Sequence, residues 1–598
     1  MSISRRSFLK SGTVGASLAL SGVQGLAVPR PEGDAARSAP LENATHQVAI
    51  PRIEEMPNLP QPFKMRDWRQ VAKDFDAWAF DLNAKGEYMP LIWIDKSHVN
   101  FDEDCFGLYV SVADPRMGPK EYEGQYHDGC LLDIPAVLGA TMVGIDKSHQ
   151  NGYDWVSMCK AFFNRANGRN VVMQLTQDLD AWKVGGGYGI DFWQDLFPSM
   201  LFFQLGHYYP QEPKFDDILR SCADQFQKAA GILKNSPRGF GYSTFDFKTM
   251  KPVVNKICPK TGQPDTAGAF AWLQYMAYRK FKDPQYLETA AWTLDTLLAH
   301  NQNPRYEGMF IPDAAYVSAR MNAESGHNYD TRKLVNWSFA PDSYVTPHTE
   351  VLVRRFGDYD VSGLFAWVYE RGYLMETFQL ACPLVPMVRY DARFARAIGK
   401  WLLNAANSAR LFYPEELPDA DQAAPEYKSV VKNVCGYEAL TVKDNIQLYA
   451  ERDNWECYRP DGTRYVFPKV SNFSLYGSSH VGIFGGIISP TDDEKILQLD
   501  CLKTDFFRDK AYPTYLYFNP YAEDKEIHIE VGPEGADVYD TVSKRWVKRN
   551  AHGRTSLGLP KDSAAVIVLA PAGGKATREQ WRLLVDGVVV DYQSSGSA

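Results

Sequence analysis

The chain has 598 residues and 73 of them are acidic. Most must simply face water, so only those set among aromatic or glycine-rich neighbours are informative. In GYSTFDF (241–247) Asp246 stands between two phenylalanines, where desolvation would raise a carboxyl pKa. A strand-like turn that leaves it in water is the plainer alternative. Asp265 begins a helical pattern, where an N-cap needs no other role. NAESGHNYD (322–330) crowds Glu324, His327, Tyr329 and Asp330 into one loop, and GDYDVSG (357–363) sets Asp358 and Asp360 between glycines with Trp367 close behind. For both, an Asx turn is the structural alternative. YHDGCLLDIP (126–135) offers His127 and Asp128 just ahead of a helix, where anions are favoured. YGSSHVGIFGG (476–486) offers His480 on what reads as a strand edge, where a structural role is the commoner one. Aromatic residues make up 13% of the chain, and rings such as Tyr242 and Trp337 can stack on the apolar faces of sugars.

Loop carboxylates with aromatic residues and a few histidines are what glycoside cleavage requires. One acid protonates the leaving oxygen, and a second carboxylate activates water or attacks the sugar. Unlike surroundings must keep the first protonated. The acid/base pair is expected among Asp246, Asp265, Glu324, Asp330 and Asp360. His127, Asp128, Tyr242, His327, Trp337 and His480 are the expected sugar contacts. Other chemistries lack their signatures: no G-x-S-x-G, H-E-x-x-H, P-loop or Rossmann glycine pattern occurs. No cofactor is expected, and no ligand spacing demands a metal. A net charge of −9 argues against a nucleic-acid partner.

These residues must be positioned by the elements around them. From about residue 65, apolar residues recur at helical spacing. The pattern predicts Trp68–Asn83, Leu131–Thr141 with Tyr153–Asn164, Phe192–Tyr208 with Phe215–Leu233, and Thr266–Phe281 with Gln285–His300. It continues with Phe310–Ala323 and Asp330–Phe339, then Tyr373–Val388 and Ala392–Leu411. About six helical hairpins result, and the long inserts between them favour a closed ring over an open solenoid. After about residue 436 the texture turns to short β-branched or aromatic runs such as HVGIFGGIIS, PTYLYFNP, EIHIEV and AAVIVLAP. RLLVDGVVVDY is a hairpin signal around Asp586-Gly587. The pentapeptide IDKSH occurs at 94–98 and 145–149. The second copy reads as loop punctuation, while the first, beside an apolar run, is left open.

Ser4-Arg5-Arg6-Ser7-Phe8-Leu9-Lys10 followed by an apolar Gly/Ala-rich stretch reads as a twin-arginine leader, residues 1–27. Residues 28–62 then form a linker or arm, 63–435 the helical domain and 436–598 a β-sandwich. The expected protein is periplasmic or extracellular, with no membrane span. Nine cysteines without a C-x-x-C pair suggest buried free thiols.

The segments DIPAVLGATMVGIDK, DTAGAFAWLQYMAYRKFKDPQYLETA, ARMNAESGHNYD, RYDARFARAIGKWLLNAANSARLFYP and SLYGSSHVGIFGGI resemble exported bacterial carbohydrate-active enzymes. These have an (α/α) toroid and a C-terminal β-domain. The resemblance covers much of residues 88–520 and transfers no residue roles. It implies a mainly α fold, an (α/α)6-type toroid followed by an all-β sandwich, with a sugar site at the toroid mouth. It also implies an exported glycoside hydrolase with an inverting course, which carboxyls about 6.5–9.5 Å apart would support and a separation of about 5 Å would oppose. A polysaccharide lyase using Tyr329, His327, Asn328 and Arg332 is the first alternative, and a non-catalytic glycan-binding protein the second.

Overall fold

The computed structural model describes residues 44–86, 89–108, 129–174, 191–255, 258–367, 371–443, 447–451, 457–458, 464–465 and 473–593. Eleven helices matter for the site. They are α1 (Trp68–Ala79), α2 (Gly129–Met142), α3 (Phe192–Tyr208), α4 (Phe215–Lys234), α5 (Thr266–Phe281), α6 (Pro284–Leu298), α7 (Phe310–Ser325), α8 (Thr331–Phe339), α9 (Leu374–Tyr390), α10 (Ala395–Ala409) and α11 (Gly482–Ile487). Nearly all of the expected helices are present. The exception is Tyr153–Asn164, which breaks into a four-residue helix, Trp155–Met158, and a 3-10 turn, Cys159–Phe162.

Two kinds of helix alternate. α3 and α9 are apolar on nearly every face and almost wholly buried, whereas α1, α4 and α8 bury one stripe and expose the rest. A helix that is hydrophobic all round has to lie inside. The inner helices touch in the order α2, α3, α5, α7, α9 and α11, and α11 returns to α2, which closes a ring. α4, α6, α8 and α10 pack outside it. Each outer partner follows a short turn. At one of them Asp283 caps α6 by accepting from the Gln285 N–H (3.0 Å), with Pro284 at the first helical position.

The sixth inner element corrects the reading of HVGIFGGIIS, which forms α11 and only then a two-residue strand, Ile488–Ser489. Gly482 is the reason. A Cβ there would stand 2.1 Å from the Gly139 Cα, so α11 and α2 meet backbone to backbone. Glycines in this run suit a strand edge, but here they permit an unusually close helix contact. His480, expected on that strand edge, lies instead in the turn entering α11.

All inner helices for which a contact fixes direction start at the same end. The Gln263 Oε1 atom, just before α5, accepts from the Phe192 N–H at the start of α3 (3.0 Å). Asp265 accepts from the Tyr306 N–H, just before α7 (2.8 Å). At the other end, residues Cys501–Asp509 cross the helix C-termini. The Phe506 carbonyl accepts from Arg320 (2.8 Å), the Phe507 carbonyl from Arg279 (3.3 Å) and the Lys503 carbonyl from the Tyr208 hydroxyl. That segment plugs the ring.

The C-terminal region is β. Strands run Ile488–Ser489, Gln498–Asp500, Thr514–Asn519, Ser563–Pro571, Ala536–Asp540 and Arg545–Ala551 in sheet order, all antiparallel. Lys525–Glu530 pairs with Arg554–Leu559, and Ile527, Ile529, Leu557 and Leu559 pack onto Tyr517 and Ile567 of the larger sheet. Alternation along Lys525–Glu530 supplies that face. Arg582–Val585 and Val588–Asp591 form the expected hairpin, with positive φ at Asp586 and Gly587 (48° and 77°) as its turn requires. Both IDKSH copies close Asx turns: Asp95 accepts from the Ser97 N–H (2.8 Å) and Asp146 from the Ser148 N–H (3.0 Å). No helix of the described residues is long and apolar enough to cross a membrane.

Candidate active site

The N-terminal end of the ring gathers carboxylates. Asp191 caps α3 by accepting from the Gln194 N–H (2.9 Å). Asp265 precedes α5, Glu307 lies three residues before α7, and Glu376 is the third residue of α9. Anions are favoured at helix N-termini, but here several of them meet. Glu307 feels Glu376, Asp191 and Asp265 directly.

Asp265 departs from the plain cap that its position suggests. Its side chain makes no cap bond to its own helix. The Oδ2 atom reaches the next segment instead, accepting from the Tyr306 and Glu307 N–H groups (2.8 and 3.4 Å), while Oδ1 has no partner. The residue is fully buried. Burial pushes its carboxyl up to about 7, against the opposing pull of those N–H groups. Arg305, which precedes Tyr306, is the cation that acts on Asp265, but its donors go to carbonyls: Trp337 (2.7 Å), Ser338 (2.9 Å), Ala340 (2.7 Å) and Thr349. It clamps backbone and contributes only weakly to holding Asp265 ionised.

Glu307 is surrounded by protein yet keeps part of its surface open to solvent, as expected of a residue that lines a hollow. Burial, then repulsion from Glu376, Asp191 and Asp265, holds its carboxyl well above the ordinary range. Tyr306 shares the cluster, and burial with the same acids pushes its hydroxyl up. Two residues beyond Asp191, at the start of α3, stands Trp193. Trp193 stacks on Phe197 (centroids 5.7 Å apart) and meets Tyr476 edge-on (6.4 Å), and its indole N–H has no acceptor. Among the described residues no three His, Cys, Asp or Glu side chains converge closely enough to hold a metal.

Of the residues singled out from sequence, the ring brings only some to this end. Asp265 is in the cluster. Tyr242 lies next to it through its carbonyl, which accepts from the Gln263 N–H (3.0 Å). His127 and Asp128 lie outside the described residues. His480 is buried in the ring wall, where its Nε2–H donates to the Leu131 carbonyl of α2 (3.1 Å) and its Nδ1 accepts from Gln379 of α9. Burial lowers its pKa to about 3, so it is a neutral core histidine.

The others stand apart. Asp246 closes the turn after Thr244–Asp246, accepting from the Lys248 N–H (2.9 Å) and the Thr249 hydroxyl (2.5 Å). Glu324 lies at the far end of α7, about 21 Å along the helix from its start, paired with Arg279 (3.1 Å) and Arg320 (3.2 Å). Asp330 is exposed and caps α8 (Lys333 N–H, 3.0 Å). Asp360 closes a turn onto the Ser362 N–H (2.9 Å) beneath α10. His327 stacks on Tyr329 (5.2 Å) in the α7–α8 loop, and Trp337 belongs to the outer helix α8.

Sequence reasoning missed Asp191, Glu307 and Glu376. Their one shared signal is position, since each lies within three residues of the start of an inner helix.

No family model matches the chain, and no curated protein matches it. Among solved structures it is similar to a GH127 β-L-arabinofuranosidase from Geobacillus stearothermophilus T6, at 9% identity and a TM-score of 0.31, over 88% of this chain and 85% of that one. That likeness is remote, so the chemistry of the ring's mouth has to be argued from its own residues.

Proposed function

We propose that the chain is a glycoside hydrolase. In this reading its helical part is an (α/α)6 toroid, its C-terminal part is a β-sandwich, and its site is the N-terminal mouth. One observation carries the reading: burial, then repulsion from Glu376, Asp191 and Asp265, pushes the Glu307 carboxyl well above the ordinary range and so favours its protonated form. Carboxylates pushed to opposite protonation states are what acid/base cleavage of a glycosidic bond needs. Glu307 protonates the departing oxygen. Asp191 or Glu376 activates the water, which gives the inverting course. Asp265, titrating near 7, tunes the other two, and Trp193 supplies an apolar wall for the sugar face.

The lyase alternative is weaker on this geometry. β-Elimination needs an Asn or Arg donor beside a uronate carboxylate, and the acids gathered at this mouth repel such a sugar. Tyr329 and His327, which would serve a lyase, stack on each other at the opposite end of α7. The experiment is a panel of neutral oligosaccharides, aryl glycosides and uronate polymers. Release of reducing sugar without new ultraviolet absorbance is expected. An unsaturated, ultraviolet-absorbing product, or no cleavage anywhere on the panel, overturns the reading. Export through the twin-arginine leader at 1–27 belongs to the same proposal. Fusing that segment to a folded reporter should deliver the reporter outside the cytoplasm, and exchanging Arg5-Arg6 for lysines should retain it.

A further inference from the structure

Below Glu307, the face of α7 that looks down the ring carries Asp313, Tyr316, Arg320 and Glu324, at helical spacing. Tyr316 donates to Asp505 of the plug (2.6 Å) and Arg320 to the Phe506 carbonyl (2.8 Å), so this face points along the axis. Asp313 is the uppermost of the four, in the first turn of the helix.

The ring is sealed at about that depth. His480 bonds α2 through Leu131 and α9 through Gln379, and lies flat on Phe197 of α3 (6.3 Å, 11° between planes). Phe197 and Gln379 are each the sixth residue of their helices, so the ring is crossed about 7.5 Å below the helix starts. A sugar ring fits that depth, but a chain cannot pass through.

Asp313 is 6% exposed. Its carboxyl makes no hydrogen bond or ion pair with any described residue, and burial is the only influence that acts on it. Other deep carboxylates are bonded: Asp133 to the Leu108 N–H, Asp195 to the Thr244 hydroxyl, and Asp505 to Tyr316, Tyr390 and Arg389. An unpartnered carboxyl is costly in a packed core, and Asp313, on the axis-facing side of the first turn of α7, has no protein group to offset that cost.

We propose that Asp313 is the floor of a one-sugar pocket, hydrogen-bonding hydroxyls of a neutral terminal sugar unit, and that the enzyme therefore trims chains from their ends. This rests on the hydrolase reading and names its substrate: a neutral terminal pentose or hexose. Uncharged hydroxyls suit a carboxylic acid that both donates and accepts. An acidic sugar would be repelled by the carboxylates above.

Two measurements test it. Free neutral pentoses and hexoses are titrated calorimetrically into the full chain and into Asp313→Asn and Asp313→Leu, and the first products from a neutral oligosaccharide are identified. The Leu variant should bind the preferred monosaccharide about tenfold more weakly or worse, and raise KM more than it lowers kcat. Asn, which keeps a donor and an acceptor, should stay close to wild type. Wild type should release monosaccharide from the first turnover. Wild-type binding by the Leu variant, or oligosaccharide as first product, overturns this proposal and leaves the hydrolase reading standing. No sugar bound and no glycoside cleaved overturns both. The product analysis needs no variant, so it decides the matter even if Asp313→Leu fails to fold.

Discussion

The two ends of the helical ring hold similar residue types in opposite arrangements. At the plugged end, Asp505 is completely buried, which by itself would raise its pKa, yet Arg320, Arg389, the Tyr316 hydroxyl and Arg508 hold it below the ordinary carboxylate range. Glu324 is matched there by Arg279 and Arg320. At the mouth, Glu307 faces Glu376, Asp191 and Asp265, and both it and Asp265 are pushed up. Burial is common to both ends, so burial does not mark a working acid. The difference lies in what surrounds each carboxyl. Paired charge fixes one end as structure, and acids crowded on acids leave protons at the other.

The comparison can be broken most forcefully at the plug. Asp505→Ala strips Arg320, Arg389, Tyr316 and Tyr390 of a shared acceptor inside the protein. It should cost about 3–5 kcal/mol in chemical denaturation, as removal of one member of a buried charge network does. A loss under about 1 kcal/mol would mean that the plug does not hold the ring.

At the mouth the sign reverses, because Asp265 is raised from 3.8 to about 7. The folded chain then holds this proton longer than the unfolded chain. Its contribution to stability is complete below about pH 4 and is lost as pH rises through 7, by ~4 kcal/mol at most. Asp265→Asn removes the titration. Melting temperatures should show the variant gaining on wild type between pH 4 and 7 and level above that. A constant gap across the range would place an ordinary, ionised carboxylate at Asp265.

A smaller effect sharpens the idea that one ring carries both ends. Gly482→Ala sets a methyl carbon 2.1 Å from the Gly139 backbone, so α11 and α2 must separate. A loss of about 1–3 kcal/mol is expected. An unchanged melting temperature would argue that the ring tolerates opening at this seam.

The long inner helices were legible because buried helices of 16 or 17 residues, such as α3, α5 and α9, leave continuous apolar text. Helix α11 was not. Its six residues are half glycine, and their packing against Gly139, more than 300 residues away, leaves no local trace. The site divides the same way. Local density of polar residues picked out Asp246, Asp330 and Asp360, and such density marks turns and caps, which is where these three bond. Glu307 and Glu376 sit among ordinary neighbours in the sequence, and only ring closure sets them near each other. Asp265 was visible as a helix boundary, though its side chain serves the neighbouring segment and not its own helix.

The central claim, that chemistry belongs to the mouth and structure to the plug, is tested most directly by two matched substitutions on one helix and its lead-in. Glu307→Gln and Glu324→Gln are assayed together for turnover of the best glycoside and for melting temperature. Glu307→Gln should lose about 10²–10⁴ in kcat while melting as wild type does, and Glu324→Gln should keep its turnover within a few-fold while melting lower. Turnover preserved in Glu307→Gln, or abolished in a fully folded Glu324→Gln, would contradict the account.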